Sequence, residues 1–109
     1  MEITIRTVKD ITVVDISGSL DTHTSGPASD EMIRIVRGSN KVLVNLENLE
    51  YLGSAGIRVL LRAFKKLNES GGKMKICNAT GTAKIVLEIS CLDKFFNLYH
   101  SETDALAAF

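Results

Sequence analysis

Short apolar runs alternate with amphipathic stretches along nearly the whole chain, and this alternation restricts the possible folds more than any other feature. Residues 2–6, EITIR, alternate between polar and apolar side chains, and residues 11–17, ITVVDIS, form a second β-rich run. Lys9 and Asp10 separate the two runs, so the pair predicts a β-hairpin. Residues 41–46, KVLVNL, are nearly all apolar, which is typical of a strand covered on both faces.

The stretches between these runs have the apolar period of helices. Thr24 or Ser25 is a candidate cap for a first helix, with Pro27 tolerated in its first turn. Gly38 ends this helix, and the glycines at 71–72 end the second. The predicted buried positions are Ala28, Met32, Ile35 and Val36 in the first helix, and Ile57, Leu60, Leu61, Phe64 and Leu67 in the second.

The remaining segments continue the alternation. Residues 73–77 predict a strand, residues 80–90 a third helix, residues 95–99 a last strand and residues 102–109 a short C-terminal helix. The predicted apolar face of the third helix is Ala83, Val86, Leu87 and Ser90. The order β-β-α-β-α-β-α-β-α predicts an α/β fold with a mixed, mostly parallel sheet packed against helices. We expect a single domain over residues 1–109.

Composition excludes several classes of function. Lys plus Arg number 13 and Asp plus Glu number 13, so no net charge attracts the chain to nucleic acid or to an anionic membrane. The first residues lack a signal-peptide pattern and no stretch is apolar for long enough to span a bilayer, which predicts a cytoplasmic protein. Cys77 and Cys91 are interpreted as reduced thiols in packing positions. With His23 and His100 they show no metal-ligand spacing, so neither a metal site nor a cofactor is predicted.

The segment GSAG, residues 53–56, has two physical interpretations. Ser54 is the predicted N-cap of the second helix, followed by Ala55 and Gly56, and a capping hydroxyl stabilises a helix by about 1 kcal/mol. Capping does not explain the glycines, because each lowers helix propensity by roughly 1 kcal/mol. Small residues would instead leave the hydroxyl uncovered for a partner, and a phosphate on Ser54 would lie at the positive end of a helix. Ser54 is therefore a candidate phosphorylation site as well as a cap.

No catalytic residues are predicted. GSAG lacks the outer glycine spacing of a nucleophile elbow, and neither histidine has a partner that would make it a base. The glycine spacings match neither a Walker loop nor a dinucleotide-binding fingerprint. Asp15 and Asp21 are not placed around a substrate pocket by the sequence. We therefore expect a protein that is not an enzyme.

Three stretches resemble a known family. They are GSLDTHTSGPA at 18–28, KVLVNLENLEYLGSAGIRVLL at 41–61 and LEISCLDKFFNLYHSETDAL at 87–106. Together they resemble a STAS domain of the anti-sigma factor antagonist type over nearly the whole chain, and the central stretch is the most specific. The resemblance implies a small cytosolic switch that regulates transcription by binding other proteins.

The resemblance also implies partners and roles for residues. Unphosphorylated members bind an anti-sigma factor that is also a serine kinase, and this releases the sigma factor; a PP2C-type phosphatase resets the phosphorylated form. By position the phosphoacceptor is Ser54, and Asp21 matches a position near the kinase-binding surface. Two positions depart from the family pattern, since Gly53 and Asn45 stand where aspartate is common. Cys91 replaces a usual glycine.

These observations give seven candidate partner-binding residues and leave alternatives open. The candidates are Asp21, Gly53, Ser54, Ala55, Gly56, Arg58 and Arg62. Asp21 is equally compatible with stabilising a turn. A basic stripe in the second helix is explained either by solvation or by an acidic partner surface. Its members are Arg58, Arg62, Lys65 and Lys66. The alternative functions are a non-switching STAS scaffold of a signalling or lipid-transport assembly, and a small-nucleotide-binding domain.

Overall fold

A computed structural model describes residues 1–93 and 96–109, and these form a six-stranded sheet with four helices. The strands are β1 (Glu2–Val8), β2 (Ile11–Leu20), β3 (Lys41–Asn45), β4 (Leu49–Leu52), β5 (Lys73–Cys77) and β6 (Asn97–Tyr99). The helices are α1 (Ser25–Arg37), α2 (Ser54–Glu69), α3 (Gly81–Ile89) and α4 (Glu102–Ala107). The predicted α/β fold with a mixed, mostly parallel sheet is confirmed.

The sheet contains one strand more than the sequence predicts. Its order is β1-β2-β3-β5-β6, where β1 is antiparallel to β2 and the other pairs are parallel, and β4 pairs with the end of β2. β2 changes partner from β3 to β4 near Gly18, whose φ of +85° favours glycine. The sequence pattern does not predict β4, because a four-residue strand with buried ends and an exposed middle shows no alternation.

The helices cover both faces of the sheet. α1, α2 and α3 pack over one cluster of buried residues that includes Val14 and Phe96. α4 covers the other face through Ala105, which packs with Leu43 and Cys77. The four positions predicted to be buried in α1 are all buried.

The buried face of α2 differs from the predicted one by a rotation of about one residue around the helix axis. Leu60 and Leu67 are buried as expected, but Val59 and Ala63 are buried too, while the other predicted positions are only partly buried. The reason is that small residues turn toward the sheet and allow the helix to approach it closely. In α3, Ala83 and Leu87 are buried, Val86 is half-buried, and Ser90 is an exposed C-cap. Residue 95 of the predicted last strand lies outside the described residues, Phe96 is in a turn, and β6 comprises the remaining three residues, Asn97–Tyr99.

Two helices end in the same hydrogen-bonded motif with different residues at its key position. After α2, Gly71 takes a left-handed φ of +82°, and the N–H of Gly72 donates to the carbonyl of Leu67 over 2.9 Å. After α3, Cys91 takes a φ of +59°, and the N–H of Leu92 donates to the carbonyl of Leu87 over 2.9 Å. Both are Schellman motifs, in which glycine is the usual left-handed residue. The packing role predicted for Cys91 was therefore wrong: the side chain is exposed, and only Cys77 is a buried thiol.

Replacing Cys91 by glycine is expected to stabilise the chain. A side chain in the left-handed region costs about 1–2 kcal/mol, and the greater entropy of an unfolded glycine offsets part of the gain. We expect a net increase of about 0.5 kcal/mol in the free energy of unfolding, measured by urea denaturation. Cys91→Ala is the control, because it removes the thiol and keeps the Cβ atom. Equal stabilities of the two variants would contradict the explanation.

Candidate functional site

Ser54 is the first residue of α2 rather than its cap. The N-cap is Gly53, with φ −96° and ψ 177°, and the N–H of Ile57 makes the first helical hydrogen bond to its carbonyl over 3.0 Å. The N-cap predicted for Ser54 was wrong by one residue, because Gly53 already supplies the extended backbone that a cap requires. Ser54 is exposed, and its hydroxyl has no hydrogen-bond partner among the described residues. The hydroxyl is thus free to react or to be bound.

The backbone around Ser54 is held in place by the sheet. Leu52, two residues before it, is paired with Leu20 at the end of β2. The N–H of Gly53 donates to the carbonyl of Leu20 over 3.0 Å. The amides of residues 54–56 precede the first intrahelical bond, so they have no intrahelical acceptor. An anion on Ser54 would therefore meet a fixed, positively polarised helix end.

Gly56 allows close packing of α2 on the sheet and is not part of the exposed surface around Ser54. It is buried, and a Cβ atom at this position would lie 2.7 Å from the carbonyl oxygen of Leu20 and 2.8 Å from a methyl carbon of Leu52. Gly56 therefore has no room for a side chain, which explains the glycine by packing, and its contact with a partner stays a prediction. Gly53 is half-buried, and a Cβ atom there would lie 3.2 Å from the ring of Tyr51.

Asp21 organises the turn between β2 and α1. Its Oδ1 accepts hydrogen bonds from the N–H of His23 over 2.9 Å and of Thr24 over 3.2 Å. The Thr24 hydroxyl in turn donates to the carbonyl of Ser19 over 2.9 Å. These bonds support the structural interpretation of Asp21. The turn lies beside the Ser54 segment, because Asp21 directly follows the residue to which Gly53 is bonded.

The structure brings three further candidate residues together. Ala55, Arg58 and Arg62 line a depression of about 510 Å³ between the first turns of α1 and α2. Both arginines are exposed, and Nη1 of Arg62 donates to Oγ of Ser29 over 3.2 Å. Ala55, Arg58 and Arg62 therefore share one surface with the start of α1, and Ser54 directly precedes Ala55 in the chain.

A polar network across the sheet was missed by sequence reasoning. Arg6 holds Asp15 through two hydrogen bonds, from Nε over 2.6 Å and from Nη2 over 2.8 Å, and it also bonds Glu102 of α4. These bonds, followed by the amide of Asn45, hold the pKa of Asp15 below its ordinary value, and they raise the pKa of Arg6. The residue pattern within one strand could not reveal this network, because the interacting residues come from β1, β2 and α4, which are far apart in the sequence.

Asn45 links this network to the loop that leads to Ser54. Its Nδ2 donates to Oδ1 of Asp15 over 2.8 Å, and its Oδ1 accepts from Nδ2 of Asn78 over 2.9 Å and from the N–H of Glu47 over 3.2 Å. The amide suits this pattern, because its Nδ2 donates to one partner while its Oδ1 accepts from two others. Burial, the largest cause, raises the pKa of the neighbouring Cys77 thiol to about 12, so this thiol remains protonated.

Other classes of site are not seen in the described part of the chain. Across residues 1–93 and 96–109, no group of three or more His, Cys, Asp or Glu side chains could hold a metal ion. No helix of these residues is long and apolar enough to cross a membrane.

Known proteins share both sequence and structure with this chain. Residues 2–105 match the profile of the STAS domain. The anti-sigma F factor antagonist of Paenibacillus polymyxa is 32% identical over 98 residues, which cover 88% of this chain and 84% of that protein. The crystal structure of an anti-sigma factor antagonist from Mycobacterium paratuberculosis matches with a TM-score of 0.90 and 25% identity, over 98% of this chain and 92% of that one.

The same fold occurs in SpoIIAA in two forms. The unphosphorylated form matches with a TM-score of 0.81 at 19% identity, over 96% of this chain and 93% of that one. The phosphorylated form, from Bacillus, matches with a TM-score of 0.75 at 18% identity, over 98% of each chain. Identities this low show a shared fold and no more. The profile match, by contrast, extends over nearly the whole sequence, and it follows that the chain belongs to the STAS-domain family.

Proposed function

We propose that this STAS domain is an anti-sigma factor antagonist whose binding is switched by phosphorylation of Ser54. One observation carries the proposal: Ser54 stands exposed and without a hydrogen-bond partner among the described residues, at the start of α2. The resemblance to the family implies that this serine is the acceptor. In the unphosphorylated state the surface around Ser54 binds an anti-sigma factor, and the sigma factor is released.

A phosphate on Ser54 would change the surface and leave the fold intact. It adds about −1.5 to −2 charges at neutral pH. The free amides of the first turn of α2 and the helix dipole favour negative charge at this point. Because no buried residue has to move to admit the phosphate, its effect falls on the complementarity with the partner.

The proposed partners follow from this switch. The anti-sigma factor is proposed to be the serine kinase that modifies Ser54, and a PP2C-type phosphatase is proposed to restore the hydroxyl. The kinase transfers the phosphate from ATP and releases ADP, whereas the phosphatase hydrolyses the phosphoserine with water and releases inorganic phosphate; both partners are proposed to act in the cytoplasm. The domain itself contributes the acceptor and a binding surface, and no catalytic group.

Intact mass of the protein isolated from its own cells tests the switch. We expect a species carrying one phosphate in the native chain and none in a Ser54→Ala variant expressed in the same way. Ser70→Ala is the matched control, because Ser70 is also an exposed serine and is the C-cap at the opposite end of α2. This control is expected to keep the phosphate.

A chain that never carries phosphate, in growing or in stressed cells, would contradict the proposal. A non-switching STAS scaffold, which binds its partner in the same way whatever the state of Ser54, would then be the better explanation. Phosphate that persists in Ser54→Ala would place the modification at another residue and would also contradict it.

A further inference from the structure

A basic groove runs between α1 and α2, away from the sheet. It has a volume of about 560 Å³, and its charged lining residues are five cations and one anion, Arg37, Arg58, Arg62, Lys65, Lys66 and Glu69. Half-buried Ile33 of α1 and Leu61 of α2 give it apolar patches. Arg58 and Arg62 also line the depression beside Ala55, so the two form one continuous surface that ends next to Ser54.

The charge of this surface is not balanced locally. Together α1 and α2 carry six cations and three anions, a net charge of +3, although the whole chain is neutral. Among the described residues only Arg34 of these cations forms an ion pair, with Glu31 of its own helix. The five groove cations share the groove with a single carboxylate, that of Glu69, so they still repel one another in the free protein, and a negatively charged partner would relieve this repulsion.

The cations of α2 are arranged in a line. Arg58, Arg62 and Lys66 are spaced by four residues, so they lie on one face of the helix and cover about 12 Å along its axis. Ser54 is one step earlier in the same series. A partner helix with carboxylates at every fourth position presents negative charge at the same repeat, and its neighbouring apolar residues can contact Ile33 and Leu61.

We infer that this basic groove binds an acidic amphipathic helix of the partner protein, with its carboxylates along the row Arg58, Arg62 and Lys66. The inference rests on the proposed function for the identity of that partner, an anti-sigma factor. It also explains how the switch acts: a phosphate on Ser54 extends the row with negative charge, pairs with Arg58 one turn away and repels the carboxylates of the incoming helix. A protein helix fits better than nucleic acid, because the groove includes apolar side chains and the chain has no net positive charge.

The test uses the full chain and a synthetic helical peptide of about 15 residues with glutamates at every fourth position and leucines beside them. Fluorescence anisotropy at low salt is expected to show saturable binding that weakens as salt is added. Arg62→Glu is expected to weaken it at least tenfold. Lys84→Glu, the same charge change at an exposed lysine of α3, is expected to alter it less than twofold.

Several results would overturn the inference. Absence of saturable binding, or an equal loss in Lys84→Glu, would show that the groove is only a solvated surface. Equal binding of a peptide with glutamine in place of glutamate, or tighter binding of duplex DNA, would reject the acidic helix as the ligand. Circular dichroism of each variant checks that it is folded. Because the peptide assay needs neither kinase nor phosphate, its failure leaves the mass test of Ser54 unaffected, and the reverse also holds.

Discussion

Replacing Gly56 by alanine is expected to lower the free energy of unfolding by about 2 kcal/mol, although alanine is the better helix former. The added Cβ atom would lie 2.7 Å from the carbonyl oxygen of Leu20 and 2.8 Å from carbons of Leu20 and Leu52. A backbone oxygen that also accepts the bond from Gly53 cannot move aside cheaply, so α2 must shift away from the sheet. This cost exceeds the gain of up to about 1 kcal/mol in helix propensity.

Gly26→Ala is the matched control for this effect. Gly26 also lies in the first turn of a helix, but a Cβ atom there would meet no atom of another element within 4 Å. We therefore expect Gly26→Ala to be neutral or to stabilise the chain by up to about 1 kcal/mol. Urea denaturation of both variants measures the difference. Similar stabilities of the two variants would show that the contact with Leu20 is not what requires glycine in α2.

Replacing Asn45 by aspartate is expected to lower the free energy of unfolding by about 3 kcal/mol at pH 7. Asn45 is only 7% exposed, and its amide donates to Asp15 over 2.8 Å. An aspartate would replace this donor by a second carboxylate facing the first. The two negative charges would repel one another where little water can screen them.

The effect of this substitution should depend on pH in a defined direction. In the native chain the pKa of Asp15 is lowered, so its contribution to stability is complete above the unfolded value of about 4 and is lost as the pH falls through the folded pKa. In Asn45→Asp the repulsion requires both carboxyls to be charged. Repulsion raises the pKa of the new carboxyl above its unfolded value, so the deficit relative to the native chain should be largest at neutral pH, shrink as the pH falls through that raised pKa and be smallest at about pH 4 and below.

The double variant Asp15→Asn with Asn45→Asp provides the control. It restores one amide and one carboxylate at the contact, and we expect it to recover part of the lost stability at pH 7. Recovery should be incomplete, because Arg6 then loses the charge of its strongest partner. A deficit in Asn45→Asp that does not change with pH, or a double variant no better than the single one, would reject charge repulsion as the cause.

Much of the fold could be predicted from periodicity. The apolar stripe of α1, the buried strand β3 and the glycine after α2 are local signals, and each element forms at or near the predicted place. β4 could not be predicted in this way, because a strand this short depends on the change of partner that β2 makes near Gly18. The buried face of α2 was predicted incorrectly because the helix packs closely on the sheet through small residues such as Gly56 and Ala63. A pattern of large apolar residues does not identify such positions.

The sequence indicated where the candidate site lies, but the roles of its individual residues became clear only from the structure. Ser54 is as exposed as expected, yet capping belongs to Gly53, and Gly56 is enclosed by Leu20 and Leu52. No local pattern distinguishes a glycine that opens a surface from one that permits close packing, since both are simply small. The network around Asn45 likewise joins residues far apart in the chain, and only the folded sheet brings them together.

The pairing of β4 with the end of β2 has a consequence for any enzyme that modifies Ser54. The residues before the serine are committed to the sheet and those after it to a helix, so the acceptor is never presented as an extended peptide while the domain is folded. A kinase must recognise a three-dimensional epitope that includes the neighbouring β2–α1 turn. Specificity of this kind does not depend on a linear sequence motif around the serine. Substrates of such a kinase would share the three-dimensional structure around the serine instead.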